Sequence, residues 1–210
     1  MDHPTEASPA VTAAIGKLLL LDAGIIETGK RVFADEAFLP DLFVAAVLNR
    51  SLQLLHGFAA LVRSRNYLSA TPFFRLQLDN GLRLWAASLV ENFDVFTSEV
   101  LDGKQIDRMK SKEGKRLTDR FLVTTLSEFL DLPKLVSAYE YASGFVHLSG
   151  QHVFATNRVE QGRRLSGCIG RWDDTTPEVK WISLIEGFAS ATDIVLTLAG
   201  SWAAQKAEGQ

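Results

Sequence analysis

Apolar side chains in this chain recur at steps of three and four residues along almost its whole length, and that period commits it to helices rather than strands. From Pro9 to Phe33, the residues Ile15, Leu18, Leu19, Ile25, Ile26, Val32 and Phe33 form one stripe. From Pro40 to Asn66 the pattern is apolar on most faces, through Leu42, Phe43, Val44, Val47, Leu48, Leu52, Leu55, Phe58, Leu61 and Val62. A helix apolar nearly all round is either central to a bundle or part of a subunit interface. Thr71 and Pro72 read as N-cap and first helical residue of a helix reaching about Phe96. Further helices are expected over Lys115–Phe129 and Pro133–Leu148, with a polar connection, Asp102–Gly114, before them. The last runs from the Thr176–Pro177 signal to about Ala204.

The period changes once. His152–Thr156 and Arg164–Ile169 read as extended, and Glu160, Gln161 and Gly162 suit a turn between them. The expected fold is all-α: a single helical bundle of about six helices with one small β-hairpin before the last helix. It forms one domain over residues 10–205. Residues 1–9, acidic and proline-bearing, read as a disordered tail without the basic start of a leader.

Composition narrows function by exclusion. With 47% hydrophobic and 22% charged residues the chain can bury a core and is no disordered polymer. A formal net charge of −3 excludes a polycation that coats nucleic acid along its whole surface. One cysteine, Cys168, cannot build an internal disulfide and reads as a small apolar residue of the hairpin. The sequence lacks a phosphate loop, a dinucleotide fingerprint, H-E-x-x-H and a G-x-S-x-G elbow. The histidines, His3, His56, His147 and His152, have no metal-chelating i,i+4 spacing. Neither a metal nor a cofactor is expected. No run of apolar letters reaches the roughly 20 uninterrupted residues of a membrane span, so the expectation is a cytoplasmic protein with no membrane contact of its own.

Two polar constellations stand out. Tyr139, Ser143 and His147 follow at four-residue steps and share one helical face. Arg75, Asp79 and Arg83 do the same on a helix that is otherwise apolar. Such a ladder is either a solvated surface or an inward pair that must find partners. Together Arg75, Asp79, Tyr139, Ser143 and His147 are the candidate catalytic residues, and Arg75, Asp79, Tyr139 and His147 could equally line a small-ligand pocket.

These residues carry a resemblance. Ala70-x4-Arg75-x3-Asp79 followed by Tyr139-x3-Ser143-x3-His147 resembles a family of uncharacterised bacterial helical proteins with a small residue, then R-x3-E, and later Y-x3-S-x3-H. The resemblance covers roughly Asn49 to the last helix. Asp79 stands where that family has glutamate, so its carboxylate reaches less far. The family is distantly similar to HEPN bundles, many of them dimeric ribonucleases of defence and toxin systems. The resemblance implies a homodimeric binding or effector module, with a metal-independent ribonuclease as the alternative. The ribonuclease arginine is absent at its expected site, where Glu140, Tyr141 and Ala142 stand; Arg50-x5-His56 has the spacing, but on the second helix.

Basic charge is uneven. Lys104–Arg120 holds seven basic and three acidic residues, and Arg158–Arg171 four basic and one acidic. Lys110, Lys112, Lys115, Arg116, Arg163 and Arg164 are therefore the candidate nucleic-acid-binding residues, for RNA or another phosphate-bearing ligand. If consecutive helices simply alternate in direction, both segments meet near His147, and Arg75 lies at the far pole. If the connection over Asp102–Gly114 crosses back, His147 comes toward Arg75 instead.

Overall fold

Helix starts follow the small polar side chains that can cap them. In the computed structural model, which describes residues 7–34, 36–147, 149–159, 165–167, 169–170, 172–173 and 175–208, Ser8 caps α1 (Pro9–Leu19). Its Oγ accepts from the Val11 amide at 3.3 Å, and Pro9 fills the first helical position. The apolar stripe then runs on, but the helix breaks at Leu20, which is 76% exposed, before α2 (Leu21–Val32). The single helix expected over Pro9–Phe33 is thus two. Neither glycine nor proline marks the break.

α3 (Leu39–Arg63) is the central helix that its all-round apolarity allowed. It packs against α1, α2, α4, α5 and α9 within the one chain. α4 (Tyr67–Ser88) begins earlier than Thr71: Asn66 Oδ1 accepts from the Ser69 amide at 3.1 Å. Thr71 lies inside the helix, its hydroxyl donating to the Tyr67 carbonyl at 2.9 Å, and Pro72 stands in the second turn. α4 also stops short of Phe96. α5 (Phe93–Leu101) is a separate helix capped by Asn92 and turned back onto α3, where Phe43 meets Phe93 and Phe96 edge to face.

One turn of 3-10 helix, Ile106–Arg108, and a tight turn over 109–117 lead to α6 (Asp119–Phe129), capped by Thr118. α7 (Leu135–Val146) and α8 (Gly150–Thr156) follow, and α9 (Glu178–Glu208) closes the chain. The described residues therefore hold nine α-helices where about six were expected. The hairpin is not found as drawn either. His152–Thr156 lies in α8, and only the three-residue stretches β1 (Asn157–Val159) and β2 (Leu165–Gly167) pair, antiparallel, Arg158 opposite Ser166. The turn at Glu160–Gly162, together with Arg163, Arg164, Cys168 and most of the N-terminal tail, lies outside the described residues.

α4 and α9 form the middle of the bundle because small residues let them approach. A Cβ on Gly81 would stand 2.9 Å from Ile194 Cγ2, and one on Gly187 would stand 3.2 Å from Phe74 Cζ. Phe58 stacks on Phe188 with centroids 4.2 Å apart, and α3 joins α9 there. The far ends of α3 and α9 are locked by charge. Asp41, fully buried, accepts from Lys206 Nζ at 2.8 Å and Trp202 Nε1 at 2.7 Å, and its other role is to cap α3 through the Phe38 amide. By length and composition Pro9–Val32, Leu39–Arg63 and Glu178–Glu208 are long and apolar enough to cross a membrane, which runs of apolar letters alone did not reveal. In this fold α3 and α9 turn apolar sides toward each other and toward α4.

Candidate functional site

α7 runs antiparallel to α4, and this decides what the polar residues meet. Phe145 near the end of α7 packs edge to face on Tyr67 at the start of α4. Ser143 consequently faces Arg75. Arg75 Nε donates to Ser143 Oγ at 2.9 Å, and its Nη2 donates to Tyr139 Oη and, at 3.2 Å, to Asp119 Oδ2. Its Nη1 is ion-paired with Asp79 one turn along α4. The guanidinium also lies over the Tyr139 ring, 3.7 Å from its centroid. Arg83 Nη2 completes the lattice at 2.5 Å from Asp119 Oδ1 and 3.6 Å from Asp79 Oδ1.

Four of the five candidates, Arg75, Asp79, Tyr139 and Ser143, are thus brought together. His147 is not in the lattice. It is the exposed C-cap residue of α7, and among the described residues its one hydrogen bond is from its amide to the Ser143 carbonyl at 3.3 Å. The simple alternating layout is overturned, because the end of α7 lies at the start of α4, not at its end. The Arg50–His56 pair also diverges: His56 Nε2 sits 2.6 Å from Asp22 of α2, and Arg50 turns to α4.

Asp119 was missed. It is the first residue of α6 after the Thr118 cap, where an acidic side chain ordinarily just serves the helix dipole. Burial pushes its carboxyl up, but Arg83, the Tyr139 hydrogen bond and Arg75 outweigh that and hold it below the usual range. Tyr139 moves the other way. Desolvation, and donation to Asp119 at 2.7 Å, keep its phenol protonated against the pull of Arg75. Ser143 Oγ donates to the Tyr139 carbonyl at 2.8 Å, with no base beside it. The lattice therefore holds a carboxylate that is spoken for, a phenol that stays neutral and a serine with no activator. That is chemistry suited to binding and orientation.

A second chain of hydrogen bonds leads from the core to this face. Thr192 Oγ1 and Ser51 Oγ accept from Gln77 Nε2 at 3.0 and 2.5 Å; Gln77 Oε1 accepts from Asn80 Nδ2 at 3.1 Å; Asn80 Oδ1 accepts from Arg50 Nη1 at 2.7 Å. Gln77, Asn80, Ser51 and Thr192 are fully buried. Arg50 keeps contact with solvent and makes no ion pair among the described residues. Desolvation lowers its pKa; the charge of Asp79 opposes this, and those of Arg83 and Arg75 add to it. Three guanidiniums thus feel one another around two carboxylates. Among the described residues no three His, Cys, Asp or Glu side chains group as a metal site.

The basic segment lies elsewhere. The Lys112 amide donates to the Leu89 carbonyl at 2.9 Å, so Lys110, Lys112, Lys115 and Arg116 are at the C-terminal end of α4. The end of α7 is at the opposite end of that helix, about 33 Å away for 22 residues at ~1.5 Å each.

Comparison with known proteins finds no matching family model, no matching curated protein and no matching solved structure.

Proposed function

We propose that this chain is a helical binding module, of the effector kind its resemblance to HEPN-like bundles implies, that takes a phosphate-bearing ligand where Arg50 stands beside Arg75 and Arg83. The observation that carries this reading is Arg50. Among the described residues its one side-chain hydrogen-bond partner is the neutral amide of Asn80, while desolvation, and then the charges of Arg83 and Arg75, work against its charge and Asp79 favours it. A guanidinium anchored at one nitrogen by Asn80, near like charges and with no ion pair among the described residues, offers its remaining donors to an incoming phosphate or carboxylate. Arg75 and Arg83 supply the field, and Asp79 and Asp119 keep those two side chains in place.

Calorimetric titration with inorganic phosphate, a mononucleoside monophosphate and a short single-stranded RNA tests the reading. Saturable binding that Arg50→Ala weakens at least about tenfold, measured well below the melting temperature of the variant, is expected for loss of one charge-assisted contact. Absence of heat with all three at millimolar ligand would overturn it. RNA kept intact in EDTA fits a binding module; RNA cleaved there moves the protein to the metal-independent ribonuclease reading.

In the same reading the protein is cytoplasmic and homodimeric. Because the apolar faces of α3 are largely used inside the chain, the dimer contact falls to what α3 leaves outside, Leu39 and Leu42, the latter 53% exposed. Light scattering that finds only a 23.1 kDa species at micromolar concentration removes the dimer.

A further inference from the structure

Toward the C-terminal end of α7, beside the first residue of α4, a cleft of about 510 Å³ opens between α7, α8 and the start of α9. That volume is in the range of small-molecule sites, roughly 300–1,000 Å³. Its walls are aromatic. Tyr67, Tyr141 and Phe145 form one side, Phe145 packing at 6.2 Å from Tyr67 and 5.2 Å from Tyr141 between ring centroids. Phe154, on α8, is 69% exposed and lines the same cleft. A ring that large left in water is costly unless something covers it.

The polar groups in this cleft are few. Lys180 lines it and makes no ion pair among the described residues. Gln151 lines it as well, lying against α7 where Gly144 has no side chain; a Cβ there would collide with Gln151 Oε1. The Tyr67 and Tyr141 hydroxyls stand 3.1 Å apart. One hydrogen satisfies that bond, so the pair holds a second phenolic hydrogen, with the Thr71 hydroxyl as the other side-chain hydrogen-bond neighbour of Tyr67. Burial, with the Tyr141 hydrogen bond, raises the pKa of Tyr67 and keeps it a neutral donor. The nearby Asp173 carboxylate is ionised, and its charge reaches Tyr67, but its oxygens are turned to the 175–176 turn. Its oxygens accept from the amides and hydroxyls of Thr175 and Thr176 and fix the turn that floors the cleft.

We propose that this cleft binds a planar aromatic anion, its ring against Phe145 and Phe154, its anionic group at Lys180 and an acceptor edge toward the tyrosine pair. The site is separate from Arg50 and stands whether or not phosphate binds there.

The test is calorimetric titration with 2-naphthoate, with its saturated decalin analogue and with neutral 2-naphthalenemethanol. Saturable naphthoate binding is expected by about 1 mM, with either control at least roughly tenfold weaker. Lys180→Met and Phe154→Ala, both at exposed positions, should each weaken naphthoate at least about tenfold with an unchanged melting temperature. Arg50→Ala should leave it unchanged. Failure to bind naphthoate, equal affinity for the alcohol, preference for an aromatic cation such as benzyltrimethylammonium, or binding that survives both substitutions would each overturn the proposal.

Discussion

Arg75 of α4 and Ser143 of α7 are 68 residues apart in the chain, yet the Nε of one donates to the Oγ of the other at 2.9 Å. The contact exists because α5 and the 109–117 turn carry the chain back, so that α6 starts beside Arg75 and Arg83 and α7 returns antiparallel to α4. One guanidinium thereby joins three helices, with Asp119 as the hinge of the lattice.

Replacing Asp119 tests that description. Asp119→Ala leaves Arg75 and Arg83 with Asp79 as their one carboxylate in the lattice and removes the Tyr139 acceptor at once. Asp119 is 37% exposed, so the cost should lie between a surface pair, under ~1 kcal/mol, and a buried one, about 3–5 kcal/mol. A loss near 2 kcal/mol lowers the melting temperature by roughly 4–8 °C in a chain of this size. Asp79→Ala should cost a similar amount, and the double variant more than the sum, since either carboxylate alone still pairs Arg75 and Arg83 and the double leaves them with neither. Additive losses would mean the lattice is two independent pairs.

How far this was legible follows from the same residues. The helical period gave the all-α class, and the i,i+4 steps gave Arg75–Asp79 and Tyr139–Ser143 as faces. Their meeting depended on the direction of α7, which no local pattern encodes. Asp119 could not be told from an ordinary first-turn acid. Thr71–Pro72 resembled a helix start more than Asn66 did, and Val153, Phe154 and Thr156 resembled a strand, yet tertiary packing made both stretches helical.

Acid should weaken the fold through Asp41 and Asp119. Both have folded pKa values below the ordinary 3.8; for Asp41, bonds from Lys206, Phe38 and Trp202 outweigh the opposing desolvation. As pH falls, the unfolded chain then takes up these protons first. Their stabilisation is whole above about pH 5 and drains away through 3.8 and below. Asp193, raised by desolvation, works in the opposite sense. Urea unfolding at pH 6, 4 and 3 should show stability falling, with a shallower fall in Asp41→Asn. A flat or rising profile would show that these carboxylates are not what the folded state holds ionised.

Gly81 should be intolerant of even one methyl group. Its Cβ would fall 2.9 Å from Ile194 Cγ2 at the α4–α9 crossing, where neither helix can easily retreat. Gly81→Ala ought to cost about 1–3 kcal/mol despite alanine's better helix propensity. In an Ile194→Ala background the clashing methyl is gone, and the same substitution should cost nothing or stabilise. An equal cost in both backgrounds would place the conflict elsewhere.

The exposed basic turn makes a separate prediction about nucleic acid. Lys110 bridges Arg116, the Ser111 amide donates to the Lys115 carbonyl at 2.8 Å, and Gly114 supplies the positive φ of 79° that closes the turn. The turn therefore displays Lys110, Lys112, Lys115 and Arg116 together in water, none ion-paired among the described residues. Phosphates respond to charge within about a Debye length, ~8 Å at physiological salt, so the net charge of −3 does not forbid local binding. Single-stranded RNA should bind with little sequence preference and weaken with salt at a log–log slope of about −0.7 per phosphate neutralised. Lys112→Glu with Lys115→Glu should lower affinity and flatten that slope by more than one phosphate, whereas Arg50→Ala should flatten it by about one at most. Anisotropy that shows no binding at about 20 µM protein in ~50 mM salt would rule out the turn as a nucleic-acid contact, because there the electrostatic term is at its strongest.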